Sequence, residues 1–333
     1  MYLPMPWLKI NRLFAAAVCF AVFSVLFSSR TMAAPPTVRS AMQLKPTQQV
    51  QYDAPAEATW PDCRMVPIVA EDEKGWAVVD ATGRRLRCFI DSNADKAVDR
   101  WCYYLGGIEV YRDIDSDFNR KVDSHRWLGT AGSRWGIDKN EDGQIDRWKM
   151  LSAEEATAEL VAALAAKDKQ AFARLLLSKK ELKDLALGQT TTEKIAVGLG
   201  KADNQFIEVC KQQGAPAKNT RWLHFSASRP GIIPSGTNGS EKDLLVYENV
   251  VAMTESDGKQ GFLQVGTLIR AGDCWRLIAP PTIREDAAAA STLSGLFFTA
   301  EETPSPQVTR PTPGEGISPK LQKLLAALEK IEA

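Results

Sequence analysis

Asp138-Lys139-Asn140-Glu141-Asp142-Gly143-Gln144-Ile145-Asp146 is the stretch from which the rest of the chain can be read. Two segments upstream share its spacing: Asp91-Ser92-Asn93-Ala94-Asp95-Lys96-Ala97-Val98-Asp99 and Asp115-Ser116-Asp117-Phe118-Asn119-Arg120-Lys121-Val122-Asp123. The starts at 91, 115 and 138 lie 24 and then 23 residues apart, and each segment is followed closely by Arg-Trp: Arg100-Trp101, Arg126-Trp127 and Arg147-Trp148. The shared pattern is D-x-[DN]-x-[DN]-x-x-[VI]-D. A fixed period of this size marks repeated supersecondary units. Alternating apolar residues flank the acidic segments, as in Leu86–Ile90 and Ile108–Tyr111, so each unit reads as strand–loop–strand. The fold class follows: a β-repeat module over 59–150 with three acidic loops.

The spacing has a chemical reason. Calcium takes about six to eight hard oxygen ligands. Acidic or amide side chains at positions 1, 3 and 5 of a tightly wound loop converge on one point. Position 7 adds a backbone carbonyl, and Asp at position 9 closes the far side. The expected ligand set is Asp138, Asn140, Asp142, Gln144 and Asp146 in the third loop; Asp115, Asp117, Asn119 and Asp123 in the second; and Asp91, Asn93, Asp95 and Asp99 in the first. Position 6 needs a sharp turn that favours Gly, which only Gly143 supplies, so the third loop is expected to bind best. Lys96 and Arg120 stand at position 6 of the other two, either pointing outward or replacing the metal. The competing reading is three metal-free Asx turns. The Arg-Trp elements, with Trp101, Trp127, Trp135 and Trp148, read as cross-strand packing pairs, a sugar-stacking surface being the alternative.

The third loop, with the full pattern and Gly143 at the turn, resembles the calcium loops of EF-hands, dockerins, thrombospondin type 3 repeats and integrin-type repeats. It departs from a true EF-hand at position 12, where Lys149 replaces the bidentate Glu, and in its strand-like flanks. The resemblance implies a calcium-stabilised strand–loop–strand module.

Outward from the repeats, the N-terminus reads as a signal peptide over 1–33, with Lys9 and Arg12 before an apolar stretch from Leu13 to Phe27 and small residues at Ala33-Ala34. An uncleaved anchor is the alternative. Residues 34–58 read as a flexible leader. The 333-residue chain balances 41 basic against 41 acidic groups, and removing Lys9, Arg12 and Arg30 leaves 38 against 41, a net of −3. That balance argues against a nucleic-acid binder and against a basic membrane-surface patch. The expected location is the periplasm, cell envelope or outside, with no membrane association after cleavage. There, cysteines can pair: Cys88 with Cys102 is the favoured bridge and Cys210 with Cys274 the second, leaving Cys63 over.

At Ser152 the pattern changes. Ser152-Ala153-Glu154-Glu155 is a capping box before a helical run to Ala166. Helices follow over about 169–177, from Ser178 to near Gly188, and over about 192–213, the last expected to be interrupted by its glycines. Strands return at Trp222–Ser226, Leu244–Thr254, Phe262–Arg270 and Cys274–Ile278, with turns at Asp257-Gly258 and Gly272-Asp273. The fold class for 151–283 is therefore α+β, helices packed on a curved antiparallel sheet. The order of elements, and the ending Gly266–Ile278 with its Gly-Asp turn into Trp275-Arg276-Leu277, resembles the nuclear-transport-factor-2-like superfamily. That resemblance implies a cone-shaped sheet serving as enzyme, ligand binder or adaptor. The whole mature chain resembles uncharacterised secreted bacterial proteins that join such loops to such a domain. Residues 284–333 read as a tail with a Pro/Thr-rich linker and a short helix at Pro319–Ile331.

Catalytic chemistry is sparse. The chain has two histidines, His125 and His224, so a three-His zinc site is excluded. No base–orienter pair or nucleophile elbow is evident. The expectation is a non-enzymatic exported protein that binds or assembles with an envelope or extracellular protein or polysaccharide, not with nucleic acid. The alternative is a small-molecule binder or enzyme with a pocket near His224, Tyr247 and Trp275, with Glu248 as a second acid–base candidate.

Overall fold

The computed structural model describes residues 36–70, 73–284 and 296–298. The signal peptide, the Pro/Thr-rich linker and the terminal helix expected from the sequence lie outside the described residues. Among the described residues no helix is long and apolar enough to cross a membrane. The architecture is mixed α+β: an eight-stranded antiparallel meander, then helices against a six-stranded curled half-barrel sheet.

The meander runs in sequence order: β1 Arg64–Val69, β2 Lys74–Val79, β3 Arg85–Asp91, β4 Arg100–Leu105, β5 Ile108–Ile114, β6 Ser124–Trp127, β7 Trp135–Ile137 and β8 Arg147–Met150. Asp80 closes the β2–β3 turn. Its carboxylate accepts the Thr82 and Arg84 backbone N–H groups, the Thr82 hydroxyl and the Arg84 guanidinium. These bonds, the Thr82 hydroxyl first, hold its pKa well below the usual carboxylate range.

Residues 36–58, expected to be a flexible leader, are instead an ordered strap across this sheet. Thr37 caps a short helix, α1 Val38–Gln43, whose Ala41 and Met42 are buried beside Val78, Leu86 and Phe89. Further along, Asp53 N–H donates to Tyr104 O, Arg87 Nη1 donates to Asp53 O, and Trp127 Nε1 donates to Gln49 O. Composition missed this because a Pro- and Gln-rich segment can satisfy its backbone against a neighbouring sheet as well as against water.

The second part opens with the expected capping box at Ser152–Glu155 and helix α2 Ala153–Ala166. Next come α3 Lys169–Ala173, α4 Lys179–Asp184, capped by Ser178 as expected, and α5 Gln189–Val209. The last helix is continuous through Gly198 and Gly200, which break nothing at a helical φ. The half-barrel contains β9 Arg221–Ser226, β10 Gly231–Ile233, β11 Leu244–Ser256, β12 Lys259–Ala271, β13 Cys274–Leu277 and β14 Thr282–Arg284. The β11–β12 hairpin turns through Asp257 and Gly258 at positive φ, as the Asp-Gly dipeptide predicts. A bulge at Glu248-Asn249, with Asn249 at φ 56°, interrupts the pairing between Tyr247 and Val250.

One core crosses the two parts. Tyr103, Tyr111, Trp127 and Trp148 of the meander pack with Leu160 and Leu164 of α2, Phe172, Phe206, Val250, Leu263 and Leu268. Leu151 N–H donates to Asp273 O and Trp275 N–H donates to Leu151 O, so the chain leaving β8 pairs with the start of β13. Glu155 adds a polar tie. Beyond capping α2, its carboxylate accepts the backbone N–H groups of Ser133 and Arg134 at 2.7 and 3.0 Å.

The expected disulfides are absent: all five described cysteines are free thiols. Cys88 and Cys102 are direct cross-strand partners, as the sequence suggested. They pack among Ala77, Val79, Ile90 and Tyr104, where burial pushes both thiol pKa values up. Cys210 caps the end of α5, whereas Cys274 Sγ donates to Trp148 O in the wall between the sheets, so these two are not partners.

Candidate metal centre: three acidic loops in a row

The three acidic segments connect β3 to β4, β5 to β6 and β7 to β8. In a meander, alternate connections emerge at the same end, so the loops stand side by side at one end of the sheet. Two strand spacings separate neighbours, about 9–10 Å. The backbone links them: Asp115 N–H donates to Asp99 O, and Asp138 N–H donates to Asp123 O. Position 1 of each loop thus hangs from position 9 of the loop before it.

The winding is the same in all three. Position 4 is left-handed, at φ 63° in Ala94, 63° in Phe118 and 60° in Glu141. Position 6 is left-handed again, at 75° in Lys96, 75° in Arg120 and 84° in Gly143. Each non-glycine residue there costs about 1–2 kcal/mol. The side chains hold the winding. The position 1 carboxylate accepts the N–H groups of positions 5 and 6: Asp91 from Asp95 and Lys96, Asp115 from Asn119 and Arg120, Asp138 from Asp142 and Gly143. Position 3 accepts from position 5, and position 5 accepts from position 7. The position 9 Asp accepts from position 2: Asp99 from Ser92, Asp123 from Ser116 and Asp146 from Lys139. Position 8 turns inward, with Ile145 buried in the main core and Val98 packed under α1.

Each loop presents three carboxylates and one carboxamide at positions 1, 3, 5 and 9. The closest grouping is in the second loop, where carboxylate oxygens of Asp115, Asp117 and Asp123 lie within 4.8 Å of one another. Sequence favoured the third loop for its glycine. The structure shows that Arg120 adopts the same turn, and what distinguishes the loops is where the third carboxylate sits. Asp117 at position 3 joins the cluster, whereas Asn93 and Asn140 place an amide there. Donor chemistry fits a hard cation, since only oxygen donors are offered. The pKa directions vary with depth. The Ala97 N–H, then the Asn93 amide, hold exposed Asp95 low, whereas burial pushes Asp99 up against the Ser92 bonds.

The cations at position 6 do not fill the clusters with side-chain ion pairs. Among the described residues neither Lys96 nor Arg120 makes a salt bridge, and each contributes its backbone N–H. Cross-links run between loops instead: Glu141 pairs with Lys121 at 3.1 Å and accepts from the Asn119 amide.

Beneath the third loop lies a group that the sequence did not reveal. His125 is fully buried, with Nδ1 2.8 Å from Asp113 Oδ1; the Tyr111 hydroxyl donates to the same oxygen at 2.5 Å. Asp113 Oδ2 accepts Thr47 N–H from the strap. His125 Nε2 has no hydrogen-bond partner and faces Asp138 Oδ2 at 3.9 Å. Burial first, then Asp113, pushes the Tyr111 hydroxyl far up. The signal was alternation alone: 111, 113 and 125 fall on one face of paired strands, Asp113 opposite His125.

The tryptophans of the Arg-Trp elements are packing residues. Trp127 and Trp148 are buried, Arg134 lies over Trp127, and Trp135 is covered by Arg126 and Lys149. The alternative catalytic pocket fares differently. His224 is exposed on β9, and Tyr247 contacts the Phe225 and Trp275 rings at centroid distances of 5.2 and 4.7 Å.

Compared with known protein families, curated proteins and solved structures, the chain gives no match. The loops must therefore be interpreted from their own chemistry.

Proposed function

We propose that the chain is a non-enzymatic exported protein whose acidic loops are stabilised by calcium, and that it binds or assembles with an extracellular or envelope partner, a protein or a polysaccharide. The observation that carries the metal reading is the carboxylate triad Asp115, Asp117 and Asp123 within a loop wound like its two neighbours. Three carboxylates per loop repel one another, and a divalent cation coordinated by their oxygens would remove that repulsion. Residues Asp91, Asn93, Asp95 and Asp99 would serve the first loop, Asp115, Asp117, Asn119 and Asp123 the second, and Asp138, Asn140, Asp142, Asp146 and the Gln144 carbonyl the third. Export rests on the N-terminal sequence pattern alone. The second part is read as a nuclear-transport-factor-2-like domain from its helix-then-meander order. A bulged, curled sheet beneath helices supports that reading at the level of architecture.

The test is thermal unfolding of the full chain with millimolar calcium, with magnesium, and with chelator. Calcium at ten to a hundred times its dissociation constant should add about 1–3 kcal/mol. Asp115→Asn with Asp117→Asn should remove most of the calcium-specific shift while leaving the chelated protein folded. A melting temperature indifferent to calcium would reduce the loops to Asx turns.

A further inference from the structure

Glu248 is a carboxylate that the sheet has buried and then turned toward a distant piece of chain. It is 7% exposed, within the β11 bulge that interrupts pairing with β12. A bulge places two residues opposite one and re-aims the side chains there. Both carboxylate oxygens are taken by successive main-chain donors: Phe297 N–H at 2.7 Å to one and Phe298 N–H at 3.0 Å to the other. These donors lie 49 and 50 residues away in sequence, so this is a docked segment and no local turn.

The surface around Glu248 is shaped for the two rings. Phe297 packs against an apolar cluster that includes Ile233, Leu244, Val246 and Ile269 of the sheet with Leu182 of α4 and Ile195 of α5. Phe298 lies over Gly231, the cross-strand partner of Val246, two residues from Glu248 on the same face. A Cβ at residue 231 would collide with the Phe298 ring, so the missing side chain makes the seat. Phe298 remains 45% exposed, which leaves its outer face open.

We infer that Glu248, Gly231 and the neighbouring apolar cluster form a peptide-docking site, whose ligand class is a segment with two successive aromatic residues, and that Leu296–Phe298 of the same chain is its resident occupant. Recognition is by backbone: a carboxylate held out of water accepts two consecutive N–H groups through charge-assisted bonds, and two seats select the rings. The site is independent of the acidic loops and of calcium.

The experiment empties the site and refills it. In the full chain, Phe297→Ala with Phe298→Ala should bind a fluorescent acetyl-Gly-Leu-Phe-Phe-Thr amide by anisotropy. The unmodified chain should bind it at least tenfold more weakly, because its own segment competes. N-methylation of the two phenylalanine nitrogens in the peptide, or Glu248→Ala added to the emptied variant, should abolish binding. No binding to the emptied variant, or equal binding of the methylated peptide, would overturn the site. A second measurement works without emptying it. In the unmodified chain the Phe297 and Phe298 amides should exchange hydrogen at least tenfold more slowly than in the free peptide. Glu248→Gln should speed that exchange; unprotected amides would refute the docking. If sizing shows a dimer that Phe297→Ala with Phe298→Ala dissociates, the occupant comes from a second copy and the assignment to the same chain fails.

Discussion

Replacing Glu155 by Ala should cost about 3–4 kcal/mol, although the residue is only half-buried in the first turn of α2 and is not one of the proposed metal ligands. Its carboxylate serves two structures at once. It completes the capping box by accepting Ser152 N–H at 3.0 Å, and it holds the β6–β7 connection through Ser133 N–H and Arg134 N–H. Loss of its half of the capping box, the bond from Ser152 N–H, is worth about 1 kcal/mol, while the Ser152 hydroxyl still caps the residue 155 N–H. Two backbone bonds to an ionised acceptor add about 2 kcal/mol together. The loss of an anion at a helix N-terminus adds about 0.5 kcal/mol. The pH dependence gives a second handle. Burial would raise the Glu155 pKa, but the N–H groups of Ser133, Ser152 and Arg134 outweigh it and leave it lowered from 4.5. A lowered folded-state pKa means that the contribution is fully present above the unfolded value and lost as pH falls through the folded one. Urea unfolding should therefore show the full gap between the native chain and Glu155→Gln at pH 7, narrowing below about pH 4.5. A Glu155→Ala cost under about 1 kcal/mol, or a gap that widens in acid, would refute the assignment of those bonds to stability.

Two further outcomes follow from backbone geometry. Gly75→Ala should lower the melting temperature sharply or abolish soluble expression, because the new Cβ collides with the Phe89 carbonyl oxygen on the neighbouring strand and backbone cannot step aside; a melting temperature within a few degrees of the native one would contradict the close approach. Arg120→Gly should raise stability by roughly 0.5–1 kcal/mol in chelator, since glycine relieves the left-handed cost at φ 75° while adding unfolded-state entropy; a fall measured by urea unfolding would mean that the Arg120 side chain contributes more than its backbone strain removes.

The meander and its loops were legible because their information is local. Asp at position 1 and Asp or Asn at positions 3 and 5 dictate Asx-type turns within nine residues, and all three segments obey despite different residues at position 6. The Ser152 and Ser178 caps and the Asp257-Gly258 turn were readable for the same reason. What stayed hidden depends on contacts across sequence. Thr47 and Gln48 belong to a strap whose partners, Asp113 and Tyr111, lie more than sixty residues away. His125 carries no local mark, and only the register of β5 against β6 places it beside Asp113. Cys88 and Cys102 show the limit from the other side. Their pairing across strands was legible, whereas the state of their sulfurs is not a property of register.

The loops also make a point about what a metal would add. Their winding is already secured without one, by some five side-chain-to-backbone bonds per loop and by the links from Asp99 to Asp115 and from Asp123 to Asp138. An ion arriving at such a loop does not have to organise it, so little conformational entropy is lost on binding and the gain comes mainly from relieved repulsion. Because position 1 of each loop hangs from position 9 of its predecessor, relief in one loop also steadies the next. Binding should then be mildly cooperative along the row. Disabling the second loop, which stands between the other two, should weaken the calcium response by more than a third of the total, whereas three independent loops would lose only their own share.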